Sequence, residues 1–265
     1  MHNGLDAFEE AIVTCRRFQH EGGSRGTGGQ VILITNAPRP AFSVAEQLEE
    51  FGVPDDCYDA IVSSGDVSLH LLSQFEGRGI HHIGPLRDKP MVEAAKLKPV
   101  PFDDAEVLFL TGLLDDETEG PEDYRTFLMK AVERSLPMIC ANPDLMVERG
   151  ARLVYCAGAV AELYKQLGGE VLYAGKPYAP IYELAMARLN DLRECRELAP
   201  LDRSAVLCIG DGVKTDMPGA FKAGFDALFI ASGLHVGADL DASKLEELFA
   251  GADGQPVAAM QALRW

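Results

Sequence analysis

Two aspartates that follow an apolar run are the residues of this sequence best suited to chemistry. Asp211 comes directly after the run 205–210, which is typical of a buried strand in a parallel sheet, and Asp216 follows in the same turn. Open α/β sheets bind ligands at the carboxyl ends of their strands, and two carboxylates in one loop suit a hard divalent cation such as Mg²⁺. The same residues also fit a turn aspartate and a helix N-cap, so both interpretations stay open at this point.

Polar side chains follow two further apolar runs that predict strands. Thr35 and Asn36 come after the run 31–34, and Lys176 comes close after the run 170–174. A hydroxyl, an amide and an ammonium group at one sheet edge can hold the oxygens of a phosphate group. Each has an ordinary alternative, which is a turn at a helix start for Thr35-Asn36 and a surface lysine for Lys176.

Charge and composition narrow the possible partners. The 265 residues carry a formal net charge of -17, so we expect no binding to nucleic acid or to an anionic membrane. No apolar run approaches the roughly 20 residues of a membrane span. The N-terminus has no basic stretch followed by an apolar one, so we expect no secretion signal. Six cysteines without Cys-x-x-Cys spacing predict reduced thiols, and we therefore expect a cytoplasmic protein.

Apolar runs alternate with amphipathic runs along the chain, which predicts an α/β fold with a parallel sheet flanked by helices. The predicted strands are 31–34, 59–63, 79–83, 106–111, 138–141, 170–174, 205–210 and 225–231. Short strands around a proline-bearing stretch indicate a small α/β unit inserted in the larger one. In that unit we expect residues 145–152 to form a loop whose Arg149 and Arg152 meet an anionic substrate.

The order and spacing of these motifs resemble those of the haloacid dehalogenase (HAD) superfamily. Thr35-Asn36, Gly175-Lys176-Pro177 and the run 210–216 (GDGVKTD) are similar to its second, third and fourth motifs. Asn142-Pro143-Asp144 and the run 219–233 (GAFKAGFDALFIASG) resemble class IIA of that superfamily. That class includes p-nitrophenyl-phosphatase-like and pyridoxal-phosphate-phosphatase-like enzymes. The similarity covers nearly the whole chain.

The resemblance implies a discontinuous domain organisation. Residues 1–76 and 170–265 would form a Rossmann-like core domain, and residues 77–169 would form a cap domain inserted in it. Capped relatives often pair through their caps, so a homodimer of that kind is expected.

The resemblance also implies Mg²⁺-dependent hydrolysis of a small phosphorylated metabolite. Thr35, Asn36 and Lys176 would bind the transferring phosphoryl group, and Lys176 would also hold the nucleophile in place. Asp211 would bind the metal directly, and Asp216 would bind it or orient its waters. These assignments make chemical sense because phosphoryl transfer depends mainly on positioning and charge neutralisation.

One motif of the family is missing from this sequence. Family members begin with a strand that ends in Asp-x-Asp, of which the first aspartate attacks phosphorus and the second protonates the leaving group. Met1-His2-Asn3-Gly4 resembles the tail of the turn after this strand, and Asp6, beyond the turn, matches neither aspartate. We therefore expect the chain to lack its nucleophile, its general acid and a central strand, through a start site placed too far downstream or a truncation.

Two functions stay open from the sequence. One is a phosphatase that acts through an aspartyl-phosphate, with the nucleophile outside this chain. The other is a catalytically inactive relative that binds a phosphate ligand or a partner protein. A Rossmann dehydrogenase is a weaker third possibility, because no Gly-x-Gly-x-x-Gly follows a predicted strand.

Overall fold

Helices and strands alternate in the residues that the computed structural model describes, which are 7–22, 28–149, 152–231 and 242–265. The strands are β1 (Ile32–Thr35), β2 (Ala60–Ser63), β3 (Gly79–Ile83), β4 (Lys98–Pro99), β5 (Val107–Leu110), β6 (Met138–Cys140), β7 (Met146–Arg149), β8 (Arg152–Tyr155), β9 (Val171–Tyr173), β10 (Leu207–Gly210), β11 (Asp226–Ile230) and β12 (Ala258–Met260). The helices are α1 (Glu9–Glu21), α2 (Ala41–Glu50), α3 (Ser64–Ser73), α4 (Lys89–Ala94), α5 (Arg125–Glu133), α6 (Ala157–Gln166), α7 (Ala179–Cys195), α8 (Asp216–Lys222) and α9 (Ala242–Leu248). The two larger sheets are parallel, so the predicted α/β class is confirmed.

The cysteines are free thiols, and most of them are buried. All six are free, and four of them, Cys15, Cys57, Cys140 and Cys156, are buried. Burial raises the pKa of Cys57 to about 11 and that of Cys140 to about 12, which keeps both thiols protonated. Among the described residues, no helix is long and apolar enough to cross a membrane.

The chain forms two compact units. The first contains the described residues of Met1–Ile34, Phe42–Val62 and Lys176–Trp265, and the second contains Thr35–Ala41 and the described residues of Ser63–Gly175. The short segment Thr35–Ala41, which carries two of the predicted phosphate-binding residues, therefore belongs to the second unit. The extent of the cap expected from the sequence, 77–169, stays a prediction.

The second unit is built on a five-stranded parallel sheet in the order β4-β3-β5-β6-β9. β5 and β6 have unbroken apolar sequences, Val-Leu-Phe-Leu and Met-Ile-Cys, and all of these residues are buried. α6 packs on β6 and β9, and α5 packs on α6. β4 pairs with one edge of β3, and β5 pairs with the other edge. The direction in which successive strands are added to the sheet therefore reverses between β3 and β5.

A cluster of three polar side chains lies where the strand order reverses. His82 is in β3, and its Nε2 forms a hydrogen bond of 2.8 Å with the Oγ1 of Thr111, directly after β5. Asp88 also hydrogen-bonds to Thr111. Burial lowers the pKa of His82 to about 4 and raises the pKa of Asp88, so it favours the neutral form of each side chain.

We expect His82 to weaken the fold as the pH falls. Its pKa in the folded chain is below the ordinary value of 6.5, so the stability that neutral His82 provides is complete above about pH 6.5 and is lost as the pH falls toward 4. Because solvent partly screens this side chain, we expect the free energy of unfolding to fall by about 0.5–1 kcal/mol between about pH 7.5 and about pH 5.5. Urea unfolding at both pH values measures this loss, and an equal loss in His82→Gln would contradict the assignment to His82.

The first unit contains two short sheets. β10, β11 and β12 form a parallel sheet in that order, and β1 pairs with β2. α8 packs on β10 and β11, and α7 packs on α8. β10 is an edge strand whose Leu207 and Ile209 are 48% and 46% exposed. In the described part of the chain, no strand pairs with the free edge of β10.

The prediction of a loop at 145–152 is wrong. β7 lies within this range, β8 begins at its last residue, and the two strands form an antiparallel hairpin. Met146 lies opposite Tyr155, and Arg149 lies opposite Arg152. The two strands have four residues each, so each is too short to show a period.

Candidate active site

The loop between β10 and α8 folds tightly onto Asp216. The N–H of Gly212 donates a hydrogen bond of 2.9 Å to the Oδ2 of Asp216, the first residue of α8. A Cβ atom on Gly210 would lie 2.5 Å from the Cβ of Asp216, and one on Gly212 would lie 2.2 Å from the Oγ1 of Thr215. Both positions therefore require glycine, which explains the Gly-Asp-Gly sequence at the end of this strand.

Lys176 forms an ion pair with Asp216. Its Nζ lies 2.7 Å from the Oδ1 of Asp216, and the two side chains are 16% and 17% exposed. Opposite charges in such a shielded position interact more strongly than at the surface. Asp216 thus uses one oxygen for Lys176 and the other for the N–H of Gly212. The structure brings together two predicted site residues that are 40 positions apart in the sequence.

Tyr182, which contacts Asp216, and Asp211, which lies in the same loop, differ in what they can contribute. The hydroxyl of Tyr182 donates a hydrogen bond of 3.4 Å to the main-chain carbonyl of Asp216. Burial, together with the charge of Asp216, raises the pKa of Tyr182, so this hydroxyl stays protonated and supports the helix start. Asp211, directly after β10, is exposed and its carboxylate is open to ions from solvent.

The predicted phosphate-binding residue Thr35 ends β1 in a segment that α3 holds in place. The N–H of Ala37 donates a hydrogen bond of 3.2 Å to the Oγ1 of Thr35, as in a turn formed by a hydroxyl side chain. The N–H of Gly65 donates to the carbonyl of Ala37, and the N–H of Ala41 donates to the Oδ1 of Asp66. The segment 35–41 is therefore tied to the N-terminus of α3 at Ala37 and at Ala41.

Asn36 packs against the glycine of the third predicted motif. Its side chain is buried, and its Nδ2 donates a hydrogen bond of 3.0 Å to the Oδ1 of Asp144. A Cβ atom on Gly175 would lie 2.5 Å from the Oδ1 of Asn36 and 2.7 Å from the Cδ of Pro143. The structure therefore brings the second motif and Gly175 of the third motif together within the second unit.

We expect Gly175→Ala to destabilise the chain and to displace Asn36. The added Cβ would overlap both the Asn36 amide and the ring of Pro143, so we expect the free energy of unfolding to fall by about 1–3 kcal/mol. Gly120→Ala is the matched control, because the closest contact of its added Cβ would be an ordinary 3.6 Å. Equal stability of the two variants in urea would show that Gly175 does not pack on Asn36 as described.

Asp211 and Asp216 are the carboxylates predicted to bind a magnesium ion at this strand end. Mg²⁺ usually takes one or two protein carboxylates and completes its octahedron with waters and substrate phosphates. Each carboxylate oxygen has two lone pairs, so Asp216 can accept a metal-bound water in addition to its present partners. Among the described residues, no group of three or more His, Cys, Asp or Glu side chains could hold a metal. Two carboxylates match the number that Mg²⁺ usually takes from a protein when substrate and water supply its other ligands.

The arginines expected to meet a substrate lie in the β7–β8 hairpin. Arg152 is 76% exposed, and its Nη1 lies 3.2 Å from the Oε2 of Glu117. The two residues line a cavity of about 300 Å³ between the loop 116–120 and the strand residues 152–155. The side chain of Arg149 lies outside the described residues. Substrate binding by either arginine stays a prediction.

Asp144 is a residue of this region for which the sequence patterns predicted no role. A signal was present, because a carboxylate follows β6 within a few residues, as Asp211 follows β10. The pattern could not identify the hydrogen-bond partner of Asp144, because Asn36 is 108 positions away in the sequence.

A parallel α/β fold with polar side chains at its strand ends is typical of proteins that bind ligands at that edge. A family model described as HAD-hydrolase-like matches residues 173–251. A haloacid dehalogenase-like hydrolase from Brucella suis is 42% identical, with a TM-score of 0.81 over 99% of this chain and 91% of its own. The chain belongs to the haloacid dehalogenase-like hydrolase family.

Phosphatases are among the further proteins that this chain resembles. D-glycerol 3-phosphate phosphatase from Mycobacterium tuberculosis is 30% identical over 88% of this chain, which spans 64% of that protein's length. A crystal structure of the M. tuberculosis glycerol phosphate phosphatase in complex with magnesium is 23% identical, with a TM-score of 0.68 over 98% of this chain and 70% of its own. A p-nitrophenyl phosphatase from Archaeoglobus fulgidus is 18% identical, with a TM-score of 0.74 over 98% of this chain and 93% of its own. The last two comparisons show that the fold is shared.

Proposed function

We propose that this chain carries most of the machinery of a Mg²⁺-dependent phosphohydrolase that acts on a small phosphorylated metabolite. The observation that carries the proposal is the 2.7 Å ion pair between Lys176 and Asp216 beside a glycine-rich strand end. An ammonium group fixed in this way suits a transferring phosphoryl group, because such transfer depends on positioning and charge neutralisation. The relative that hydrolyses D-glycerol 3-phosphate supports this class of substrate.

In this proposal Thr35, Asn36 and Lys176 bind the phosphoryl oxygens. Thr35 and Lys176 do so through their side chains, and Asn36 does so through its main chain, because its side-chain amide donates to Asp144. The Oγ1 of Thr35 accepts the N–H of Ala37, which leaves the hydroxyl proton for a phosphate oxygen. Lys176 adds positive charge and holds the attacking carboxylate. Asp211 and Asp216 would hold Mg²⁺, and the bound ion would neutralise charge on the phosphate.

The proposed reaction passes through an aspartyl phosphate. An aspartate carboxylate attacks phosphorus, and the ester oxygen leaves as an alcohol after it takes a proton from a general acid. Water then hydrolyses the acyl phosphate, which releases inorganic phosphate and restores the carboxylate. No strand in the described part of the chain ends in Asp-x-Asp, so we propose that both carboxyl groups come from a segment outside this sequence.

The free edge of β10 supports this part of the proposal. β10 pairs with β11 on one side only, and apolar side chains on it are about half exposed. All four residues of β1, which pairs with β2, are only half-buried. An apolar edge strand readily accepts another strand, and a strand that ends in Asp-x-Asp would place its carboxylates at the same edge as Asp211.

The second candidate is a catalytically inactive relative that binds a phosphate ligand or a partner protein. It is favoured by the sequence as it stands, which has no Asp-x-Asp at the end of a predicted strand. The phosphate-binding groups would then serve recognition alone. A homodimer through the cap and a cytoplasmic location stay predictions under both candidates.

Hydrolysis of p-nitrophenyl phosphate with Mg²⁺ separates the two candidates. The assay compares the 265-residue chain with a chain that also contains the residues encoded in frame upstream. Activity in the longer chain alone supports the phosphatase, and inactivity of both chains supports the inactive relative. A panel of small phosphorylated metabolites, with glycerol 3-phosphate among them, then identifies the substrate class.

A further inference from the structure

The side-chain amide of Asn36 is held from two sides within the second unit. Its Nδ2 donates a hydrogen bond of 3.0 Å to the Oδ1 of Asp144. Its Oδ1 lies so close to the main chain of Gly175 that a Cβ atom there would be 2.5 Å away. Because Asn36 is 9% exposed, water does not easily replace these contacts. The amide is therefore fixed by a carboxylate on one side and by main chain on the other.

Asp144 is itself fixed by the turn that follows β6. Its N–H donates a hydrogen bond of 3.0 Å to the Oδ1 of Asn142, with Pro143 between the two. α6 begins so close to this turn that a Cβ atom on Gly158 would lie 2.2 Å from the carbonyl oxygen of Pro143 and 2.5 Å from that of Asp144. The position of the carboxylate is thus set by a buried strand and a packed helix.

We propose that Asp144 is a positioning residue for phosphate binding, a role that rests on the proposed function. By holding the amide of Asn36, Asp144 keeps the segment 35–41 in the conformation in which the Thr35 hydroxyl and the nearby main-chain N–H groups can receive phosphate. A hydrogen bond to an ionised acceptor is stronger than a neutral one, and a preorganised site loses less entropy when it binds. Asp144 acts through Asn36 and does not touch the phosphate.

The position of Asp144 in the chain gives this contact a second consequence. β7 begins two residues after Asp144, and the β7–β8 hairpin carries Arg149 and Arg152. One side chain therefore connects the segment proposed to bind phosphate with the hairpin predicted to meet the rest of the substrate.

Amide hydrogen exchange of the segment 35–41 tests the positioning step without any ligand. In Asp144→Ala we expect exchange in this segment to be about tenfold faster or more, because a hydrogen bond to a charged group is lost. Asp144→Asn retains a carbonyl oxygen that can accept from Asn36, and we expect exchange near that of the original chain. Asp103→Ala removes an exposed aspartate of the same unit and is the matched control.

Binding of inorganic phosphate with Mg²⁺, followed by titration calorimetry, tests the consequence. We expect Asp144→Ala to bind phosphate about tenfold more weakly or worse, and Asp144→Asn to recover most of the affinity. If Asp144→Ala does not fold, Asp144→Ser replaces it, since a serine side chain is too short to reach the Nδ2 of Asn36.

The outcomes separate this inference from the proposed function. Failure of the original chain to bind phosphate would overturn both. Phosphate binding by the original chain with unchanged affinity in Asp144→Ala, or unchanged exchange in 35–41, would overturn the role of Asp144 alone. Weaker binding in Asp144→Ala that Asp144→Asn restores, with an unchanged free energy of unfolding in both variants, would support the role of Asp144. A merely structural loss would instead lower the stability of the whole unit.

Discussion

Extension of this chain by the residues encoded in frame upstream of Met1 is expected to produce an active phosphatase. If the added segment ends in Asp-x-Asp, it supplies the nucleophile and the general acid that the proposed reaction requires. Loss of a nucleophile typically costs many orders of magnitude in rate, so we expect hydrolysis of p-nitrophenyl phosphate to rise about a thousandfold or more. Steady-state assays with and without Mg²⁺ measure the change.

The same extension is expected to stabilise the fold. A strand paired with the free edge of β10 would cover Leu207 and Ile209, which are now 48% and 46% exposed. Burial of the exposed parts of these side chains is worth about 2–3 kcal/mol in the free energy of unfolding. Replacement of the first added aspartate by asparagine is the control, because it should abolish hydrolysis and leave the gain in stability. An extended chain with no gain in either property would contradict the proposed role of the segment.

Lys176→Met is expected to cause the second-largest change, a loss of both activity and stability. In the extended chain the substitution removes the positive charge proposed to act on the phosphoryl group, so we expect kcat/KM to fall about a hundredfold or more. In the 265-residue chain it leaves Asp216 without its partner at 2.7 Å, and we expect the free energy of unfolding to fall by about 1–3 kcal/mol.

Lys222→Met is the matched control for this substitution. The Nζ of Lys222 lies 3.9 Å from Asp253, and the two side chains are 59% and 66% exposed, so its removal should change little. Lys176→Arg tests whether charge alone is enough, since the planar guanidinium does not fit the position of a compact ammonium. Retention of the original kcat/KM in Lys176→Met would show that Lys176 does not act on the phosphate.

Eight of the strands in the described residues could be predicted because each leaves a local pattern. β3 was predicted at its observed bounds, 79–83, and the strand predicted at 138–141 is β6, Met138–Cys140. Buried parallel strands have unbroken apolar sequences, and the polar residue after each run marks the ligand-binding edge. The same rule identified Asp216 and Lys176, which the structure brings into contact.

The remaining features depend on contacts between distant residues. The hairpin of β7 and β8 is defined by pairing rather than by periodicity, so its strands were predicted as a loop. The hydrogen bond between Asn36 and Asp144 joins two turns that belong to separate predicted elements. The requirement for glycine at position 175 arises from a side chain that packs against it in space, and no local pattern records such a contact.

The central claim is that the strand end at Lys176 and Asp216 binds phosphate together with a divalent cation. The N–H of Gly212, which donates 2.9 Å to the Oδ2 of Asp216, is a direct reporter of this site in ¹⁵N-labelled protein. On titration with inorganic phosphate, we predict a saturable shift of the Gly212 amide signal that requires Mg²⁺ and is absent in Lys176→Met. An amide signal that does not move with Mg²⁺ and phosphate up to tens of millimolar, or that moves equally in Lys176→Met, would contradict the account.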